Sequence, residues 1–214
     1  MTQLFQTFSA DFVSGFKYTI YASLLALVFS LIIGTIMAIL QLSHNRIIRS
    51  LAKAYVAFFR NIPLLIIVMF FYVVAPMYFY SFDGFQAGTI GLTIYTSAFI
   101  AETVRSGIQT VPKGQMEAGL SSGFSYSETM RYIVLPQAFK IVMPPLGNQF
   151  INLIKNSSIL AMVAGLDLMY QGDLIASTTF NTFDTYIIVG LFYLVLTLPL
   201  SYLMNYLDKH WSNA

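Results

Sequence analysis

A stripe of polar side chains interrupts one of the most apolar stretches of the sequence. At about 100° per residue, its members fall within an arc of roughly 120° on one face of a helix. The stripe consists of Asn148, Gln149, Asn152, Lys155 and Asn156. Amides donate hydrogen bonds to a carboxylate and accept them from an ammonium group, so the stripe suits a zwitterionic solute. The same amides also suit hydrogen bonding between neighbouring helices, and the residues alone leave both interpretations open.

The helices that must carry these groups belong to a chain that is poor in charge. Hydrophobic residues make up 57% of the 214 residues and charged residues only 9%, against about 25% charged residues in soluble domains. So few charges cannot cover a water-soluble surface, which excludes an ordinary soluble enzyme or a nucleic-acid-binding protein. Five nearly charge-free stretches approach or exceed the length of a transmembrane helix. We therefore predict an all-α membrane protein, a single domain over residues 1–214, with spans at about residues 17–42, 58–81, 86–108, 138–164 and 184–207.

The positions of the basic residues predict how the chain is oriented in the membrane. Nine of the eleven Lys and Arg residues lie around the first and third connections and in the C-terminal tail. The second and fourth connections, residues 81–88 and 164–184, contain none. Because basic loops stay on the cytoplasmic side, we expect the N-terminus outside and the C-terminus in the cytoplasm.

The third connection, about residues 110–136, carries signals for two short helices. Pro112 suits the first position of a helix, and Gly123 suits the position just after its end. Ser125 and Glu128 then form a capping-box pattern, which predicts the start of a second helix. The connection is too polar to insert into the membrane, so both helices should lie at its cytoplasmic face.

The second helix of this connection should be short. We expect Pro136 to end it, with Leu135 pushed out of helical geometry. The result would be a rigid helical elbow facing the cytoplasm. Such an elbow can dock a soluble partner, but it can also be a plain structured connector, which the local geometry alone favours.

A known motif overlaps the elbow. The segment Glu117-Ala118-Gly119, followed at the expected spacing by Gly123 and by residues 133–136 (Ile-Val-Leu-Pro), resembles the EAA signature of the membrane subunits of bacterial ABC importers. The single departure is Gly119, where a second alanine is usual. Further segments resemble the polar amino acid permease branch of that family: residues 59–65, which read Phe-Arg-Asn-Ile-Pro-Leu-Leu against Phe-Arg-Gly-Thr-Pro-Leu-Leu, and residues 97–109, 111–115 and 153–158. The resemblance runs in order over about residues 15–207.

This resemblance implies a type I ABC importer permease fold and a set of partners. Glu117, Ala118, Gly119 and Gly123 would couple the permease to a groove on an ATPase subunit, which small residues let the helix approach closely. The implied partners are two ABC ATPase subunits, a second permease copy (an identical chain or a sister), an extracytoplasmic solute-binding protein and the lipid bilayer. The implied location is the bacterial cytoplasmic membrane, which the chain crosses several times.

The chain lacks the residues for chemistry of its own. None of its thirteen glycines is followed by lysine, so a P-loop is absent and the chain should not be an enzyme. ATP and Mg²⁺ would be bound by the partner ATPase, and no cofactor is expected here. Cysteine is absent, and the two histidines, His44 and His210, are far apart, so no metal site is predicted.

The substrate implied by the branch is a polar amino acid. We expect Gln149, Asn152, Lys155 and Asn156 to line its path, together with Pro63, which can loosen the second span. Lys155 also matches the lysine that the family carries before its Ser pair, which favours a structural role equally well. Because no acidic residue stands beside the amides, we favour glutamine, glutamate or aspartate. A basic amino acid, namely arginine, lysine or histidine, is the alternative.

Glu102 and Arg105 stand three residues apart near the cytoplasmic end of the third span. This spacing suits a salt bridge on the helix surface, and we interpret the pair as a structural contact at the gate end. A secondary transporter or channel is a less favoured class, because the sequence shows no internal repeat and five is an odd number of spans. An intramembrane enzyme is also disfavoured, since paired carboxylates are absent from the middle of the spans.

Overall fold

The structure, a computed structural model, describes residues 1–212, with side chains through Lys209. Every regular element in that range is helical, which confirms the all-α prediction. A short helix α1 (Thr2–Thr7) precedes the long helix α2 (Ser9–Gln41). Helix α2 therefore begins about two turns earlier than the predicted first span.

Helices α2 and α6 (Gly84–Thr110) form the centre of the molecule. A ridge of small residues lets the two helices approach closely, since a bulkier side chain would hold their backbones apart. At Gly34, a Cβ atom would lie only 2.7 Å from Ile100 Cγ2. The ridge repeats every four residues along α2 and is fully or almost fully buried: Ala22, Ala26, Ser30, Gly34 and Ala38.

The second predicted span is broken in the structure. Helix α3 (Arg46–Asn61) ends before Pro63, and helix α4 (Leu64–Met69) leaves at an angle bent by 105°. Proline cannot donate a backbone hydrogen bond and forces the preceding residue out of the helical region, and Ile62 is indeed extended at φ −101° and ψ 139°. A π-helical turn and a short helix α5 (Ala75–Tyr78) continue α4.

The elbow has the local structure that its sequence predicts. Helix α7 (Lys113–Ser121) is followed by Gly123 at φ 90°, a left-handed conformation that glycine adopts without strain. Helix α8 (Tyr126–Thr129) begins with a complete capping box, in which the Glu128 amide donates to Ser125 Oγ and the Ser125 amide donates to the Glu128 carboxylate.

The prediction that Pro136 ends this second helix is wrong. A π-helical turn (Met130–Val134) joins α8 directly to α9 (Leu135–Asn156), and Leu135 is helical at φ −62° and ψ −38°. In an α-helix the missing N–H of Pro136 would leave the carbonyl four residues earlier unpaired and its ring would clash there. That carbonyl lies in the π-helical turn, whose wider ring accommodates the proline. The elbow is therefore continuous with α9.

The rest of the chain completes the bundle. A 3₁₀ helix (Ser157–Val163) follows α9, and helix α10 (Leu168–Thr179) occupies the predicted fourth connection at a bend of 49°. The chain then continues as α11 (Thr182–Ser212), which packs on α9 and α10.

Within residues 1–212, the length and composition of the helices identify several membrane spans. Helix α2 and the Thr182–Lys209 part of α11 are each long and apolar enough to cross a membrane. Two bent pairs meet the same criterion when each is counted as one span, namely α3 with Leu64–Tyr78 and Tyr126–Val163 with α10. Helix α6 is long enough to span a membrane but is more polar than α2. Its small and hydroxyl-bearing residues are buried by the surrounding helices.

Candidate functional site

The amide stripe of α9 faces α6 across a cavity of about 150 Å³. Gln149, Asn152 and Asn156 all line it, so the structure brings three of the predicted residues together. The opposite wall belongs to α6 and carries a phenol and a hydroxyl group. The complete lining is Tyr95, Thr96, Phe99, Gln149, Asn152, Leu153 and Asn156, and it includes no Asp, Glu, Lys, Arg or His.

A second cavity, of about 330 Å³, continues from the first between α6 and α9. Phe99 and Gln149 line both cavities, so the two adjoin. The second cavity differs in carrying charge, since Arg60 and Glu102 are part of its wall. An ion pair therefore lies beside the wall that the two cavities share at Phe99.

The charged groups beside Phe99 form a connected chain. The predicted Glu102–Arg105 pair is present, and Arg105 binds both carboxylate oxygens, with Nε donating to Oε2 at 3.1 Å. Arg60, from α3, lies 3.9 Å from Glu102 and places its guanidinium carbon 5.4 Å from the centre of the Phe99 ring. Arg105 also donates to Gln109. Together these contacts connect α3 to α6 beside the cavity wall.

The elbow presents a different and largely exposed surface. Glu117 and Ala118 are exposed on α7, and Gly123 is exposed at the corner. Glu128 is exposed too, and the pKa of its carboxyl is lowered chiefly by the hydrogen bond from the Ser125 hydroxyl. The elbow surface thus offers one carboxylate, Glu117, that is not used in the elbow's own hydrogen bonds.

The fold and both sites agree with one protein family. A family model described as "Binding-protein-dependent transport system inner membrane component" matches residues 8–213. The chain belongs to this family. The resemblance to ABC importer permeases, on which much of the sequence analysis depended, is thereby confirmed.

Relatives match this permease over nearly all of its length. It is 58% identical over 206 residues to the probable glutamine ABC transporter permease protein GlnM of Bacillus subtilis, covering 96% of this chain and 95% of that protein. It is 34% identical over 199 residues to the glutamine transport system permease protein GlnP of Escherichia coli, with coverages of 92% and 91%.

Solved structures show the same fold. An amino acid ABC transporter crystallised with histidines matches the permease with a TM-score of 0.90 and 34% identity over 95% of each chain. The MetNI methionine ABC transporter matches with a TM-score of 0.82 and 20% identity over 96% of this chain and 98% of that one, which is a likeness of fold.

Several predicted site residues of the permease lie apart from the two cavities. Lys155 and Asn148, the other two members of the stripe, are exposed on α9, as Asn152 is, but neither lines the amide cavity. Pro63 is exposed at the break between α3 and α4 and lines neither cavity. In the described part of the chain, no three His, Asp or Glu side chains are grouped as a metal site requires; the side chain of His210 lies outside that part.

Two residues beside the cavities were not predicted as site residues from the sequence. Arg60 was used as a basic residue that indicates the cytoplasmic side and as part of the family-like segment 59–65, but not as a site residue, although a proline that interrupts an apolar segment follows three residues later. Such interruptions can mark binding sites in transporters. Phe99 gave no signal beyond its apolar character, because only the tertiary structure places it between the two cavities.

Gly119 lies inside the elbow rather than on its surface. It is buried, and a Cβ atom there would lie 2.5 Å from Thr129 Cγ2 and 2.9 Å from Ile133 Cδ1. The glycine therefore lets α7 pack closely against α8 and the π-helical turn. In this chain, Thr129 and Ile133 fill the space that the usual alanine would need.

We expect Gly119→Ala to destabilise the permease by about 1–3 kcal/mol, because the added methyl group overpacks this contact. Thermal unfolding of the purified permease in detergent measures the change. Gly114→Ala, on the same helix, is the matched control, since no atom lies within 4 Å of its Cβ position. The control should be neutral or stabilising, as alanine favours a helix over glycine by about 1 kcal/mol. Equal stability of the two variants would contradict the assignment.

Proposed function

We propose that this permease translocates glutamine into the bacterial cytoplasm as the membrane-spanning subunit of an ATP-driven importer. The observation that carries the substrate assignment is the uncharged, amide-lined cavity between α6 and α9. The names of the glutamine permeases that resemble the chain, at 58% and 34% identity, support the same substrate.

The lining of the amide cavity favours a neutral side chain over a charged one. Gln149, Asn152 and Asn156 offer both donors and acceptors, which match the two kinds of atom in a carboxamide. A glutamate, arginine or lysine side chain would meet no opposite charge among these lining residues. Glu102, the nearest carboxylate along the path, is bound by Arg105 and therefore less available to a cationic substrate.

We expect Asn152→Leu to reduce glutamine uptake about tenfold or more, because the substrate amide would be desolvated without a hydrogen-bond partner. Uptake of a panel of radiolabelled amino acids by proteoliposomes containing the complete importer measures this effect. Asn148→Leu is the matched control, since Asn148 belongs to the same stripe but does not line the cavity. Equal uptake by the two variants, or exclusive uptake of arginine and lysine by the unaltered importer, would contradict the glutamine assignment.

The energy for transport would reach the cavity through the elbow. In this proposal Glu117, Ala118 and Gly123 dock in a groove of an ATPase subunit that binds ATP and Mg²⁺, and closure of two such subunits moves the elbows. Because α8, the π-helical turn and α9 form one continuous helical segment from Tyr126 to Asn156, a push on the elbow would displace the amide stripe directly. An importer of this kind alternates between two states that ATP binding favours unequally.

The remaining partners follow from the same proposal. Five spans with the N-terminus outside would place the elbow in the cytoplasm and the connection before α6 on the outer face. A second permease copy, identical or a sister chain, would complete the path, and an extracytoplasmic solute-binding protein would deliver the amino acid. The basic residues around the first and third connections and in the tail support this orientation.

A further inference from the structure

A third cavity lies between α2, α3 and α6, on the far side of Arg60 from the amide stripe. Its volume is about 240 Å³. Tyr55 fixes α3 against α6 beside it through a hydrogen bond of 2.7 Å to Ser97. The cavity is lined by Gln41, Lys53, Val56, Ala57, Arg60, Glu102 and Arg105.

Gln41 lines this cavity and carries an unused hydrogen-bond donor. The residue is only 4% exposed, and its Nε2 atom has no hydrogen-bond partner among the described residues. Buried amide donors are normally paired, because leaving one unpaired forfeits its hydration without compensation. The side chain therefore has the geometry of a group that binds an acceptor from outside the chain.

Arg60 is the second unused donor. No group in the described part of the chain accepts a hydrogen bond from its guanidinium, and Glu102 is 3.9 Å away with both oxygens already bound by Arg105. The guanidinium has five N–H groups in a planar fork that matches a carboxylate. The side chain is about 40% exposed, so its unpaired N–H groups are accessible to a ligand.

The charges around the cavity select an anion. Lys53, Arg60 and Arg105 contribute three positive charges and Glu102 one negative charge, which leaves an excess of two positive charges. Arg60 and Glu102 also line the cavity of about 330 Å³ that meets the amide cavity at Phe99. An anion that travels along the substrate path would therefore reach Arg60 directly.

We infer that Arg60 and Gln41 bind the α-carboxylate of the transported amino acid as it leaves the amide cavity for the cytoplasm. The inference rests on the proposed function only in requiring that the cargo is an amino acid, since every amino acid carries this carboxylate. Arg60 supplies the paired donors and Gln41 a further one, while Lys53 and Arg105 add to the positive potential. Phe99, under the Arg60 guanidinium, separates this site from the amide cavity.

The test compares Arg60→Gln and Gln41→Leu in the complete importer reconstituted in proteoliposomes. Each variant should lower kcat/KM for L-glutamine about tenfold or more, because each removes a hydrogen bond to a charged group. Arg60→Lys should give an intermediate kcat/KM, since lysine keeps the positive charge but lacks the planar, paired N–H donors of the guanidinium. Arg46→Gln, an exposed cation at the start of the same helix, should stay within twofold of the unaltered protein. If kcat/KM falls in only one of Arg60→Gln and Gln41→Leu, or in neither, the proposed carboxylate site is wrong.

Thermal unfolding separates a ligand-binding role for Gln41 from a structural one. Because its Nε2 atom is unpaired, Gln41→Leu should unfold at the same temperature as the unaltered permease or higher while its uptake falls. A lower unfolding temperature together with lower uptake would show that Gln41 supports the fold, and the inference would be wrong.

Two further measurements identify the source of the anion. Uptake is compared in vesicles of phosphatidylcholine alone and in vesicles that also contain phosphatidylglycerol. If the variants lose uptake equally in both kinds of vesicle, the bound anion is the substrate carboxylate. If they lose uptake only in vesicles with phosphatidylglycerol, the anion is a lipid phosphate and the inference is wrong. If the unaltered importer carries another amino acid and not glutamine, the proposed substrate is wrong, and the same variants measured with that amino acid still decide the carboxylate site.

Discussion

Glu117→Lys should strongly weaken the association of the permease with its ATPase while leaving insertion into the membrane unchanged. Glu117 is exposed on α7, and no hydrogen bond or ion pair connects it to the rest of the described chain. The substitution therefore removes nothing that stabilises the fold. We expect the Glu117 carboxylate to pair with a basic group in the ATPase groove. The substitution would place a positive charge against that group, and like charges at an interface cost several kcal/mol. We expect the affinity to fall at least tenfold, about 1.4 kcal/mol.

Co-purification of the ATPase with a tagged permease measures this association, and membrane fractionation measures insertion. Ser127→Lys serves as the control, since it adds a positive charge to the exposed surface of the neighbouring helix α8. Glu117→Gln should give a smaller loss than Glu117→Lys, because it removes the attraction without adding repulsion. Retention of the ATPase by Glu117→Lys, or equal loss in Ser127→Lys, would show that the carboxylate is not part of the contact.

The elbow shows what local sequence can predict. The start of α8 and the corner at Gly123 depend on hydrogen bonds and backbone angles within a few residues, and both were predicted from Ser125, Glu128 and the glycine itself. The amide stripe was predictable for a similar reason. Its spacing alone places Gln149, Asn152 and Asn156 on one face of a helix.

The prolines show where local sequence fails. Pro63 ends α3 and gives a bend of 105°, whereas Pro136 lies near the start of α9 without ending the helical segment. The difference is the π-helical turn before Pro136, which rearranges the carbonyls that the proline cannot pair. The conformational preference of the residue before a proline is a local property and does not predict the π-helical turn. It therefore predicted a break at Pro136, where the helical segment continues.

The composition of the site was also beyond the sequence. Lys155 and Pro63 were predicted to line the path and do not line the two cavities, while Arg60 was treated as a marker of orientation. Whether a residue of α3 faces lipid, water or α6 depends on how the broken second span crosses the bundle. That crossing is a tertiary property, and it brings Arg60 over the ring of Phe99.

The second large effect is expected at Gly84, the first residue of α6. A capping box between Asp83 and Gln86 starts the helix here, and the glycine packs directly on the end of the 3₁₀ helix. A Cβ atom at Gly84 would lie 1.8 Å from the carbonyl oxygen of Val163, and the following Ala164 already has a left-handed backbone at φ 54°. The contact therefore joins two backbones, and neither can move aside as a flexible side chain would.

Gly84→Ala should consequently destabilise the permease by about 3 kcal/mol or more, at the upper end of the range for overpacking. Thermal unfolding of the purified permease measures the loss. Gly190→Ala in α11 is the matched control, since no atom lies within 4 Å of its Cβ position, and it should be neutral or stabilising. Because the clash lies at the end of α6 opposite the elbow, any Gly84→Ala permease that folds should still bind the ATPase. Unfolding temperatures that match between the two variants would show that α6 does not rest on the Val163 carbonyl.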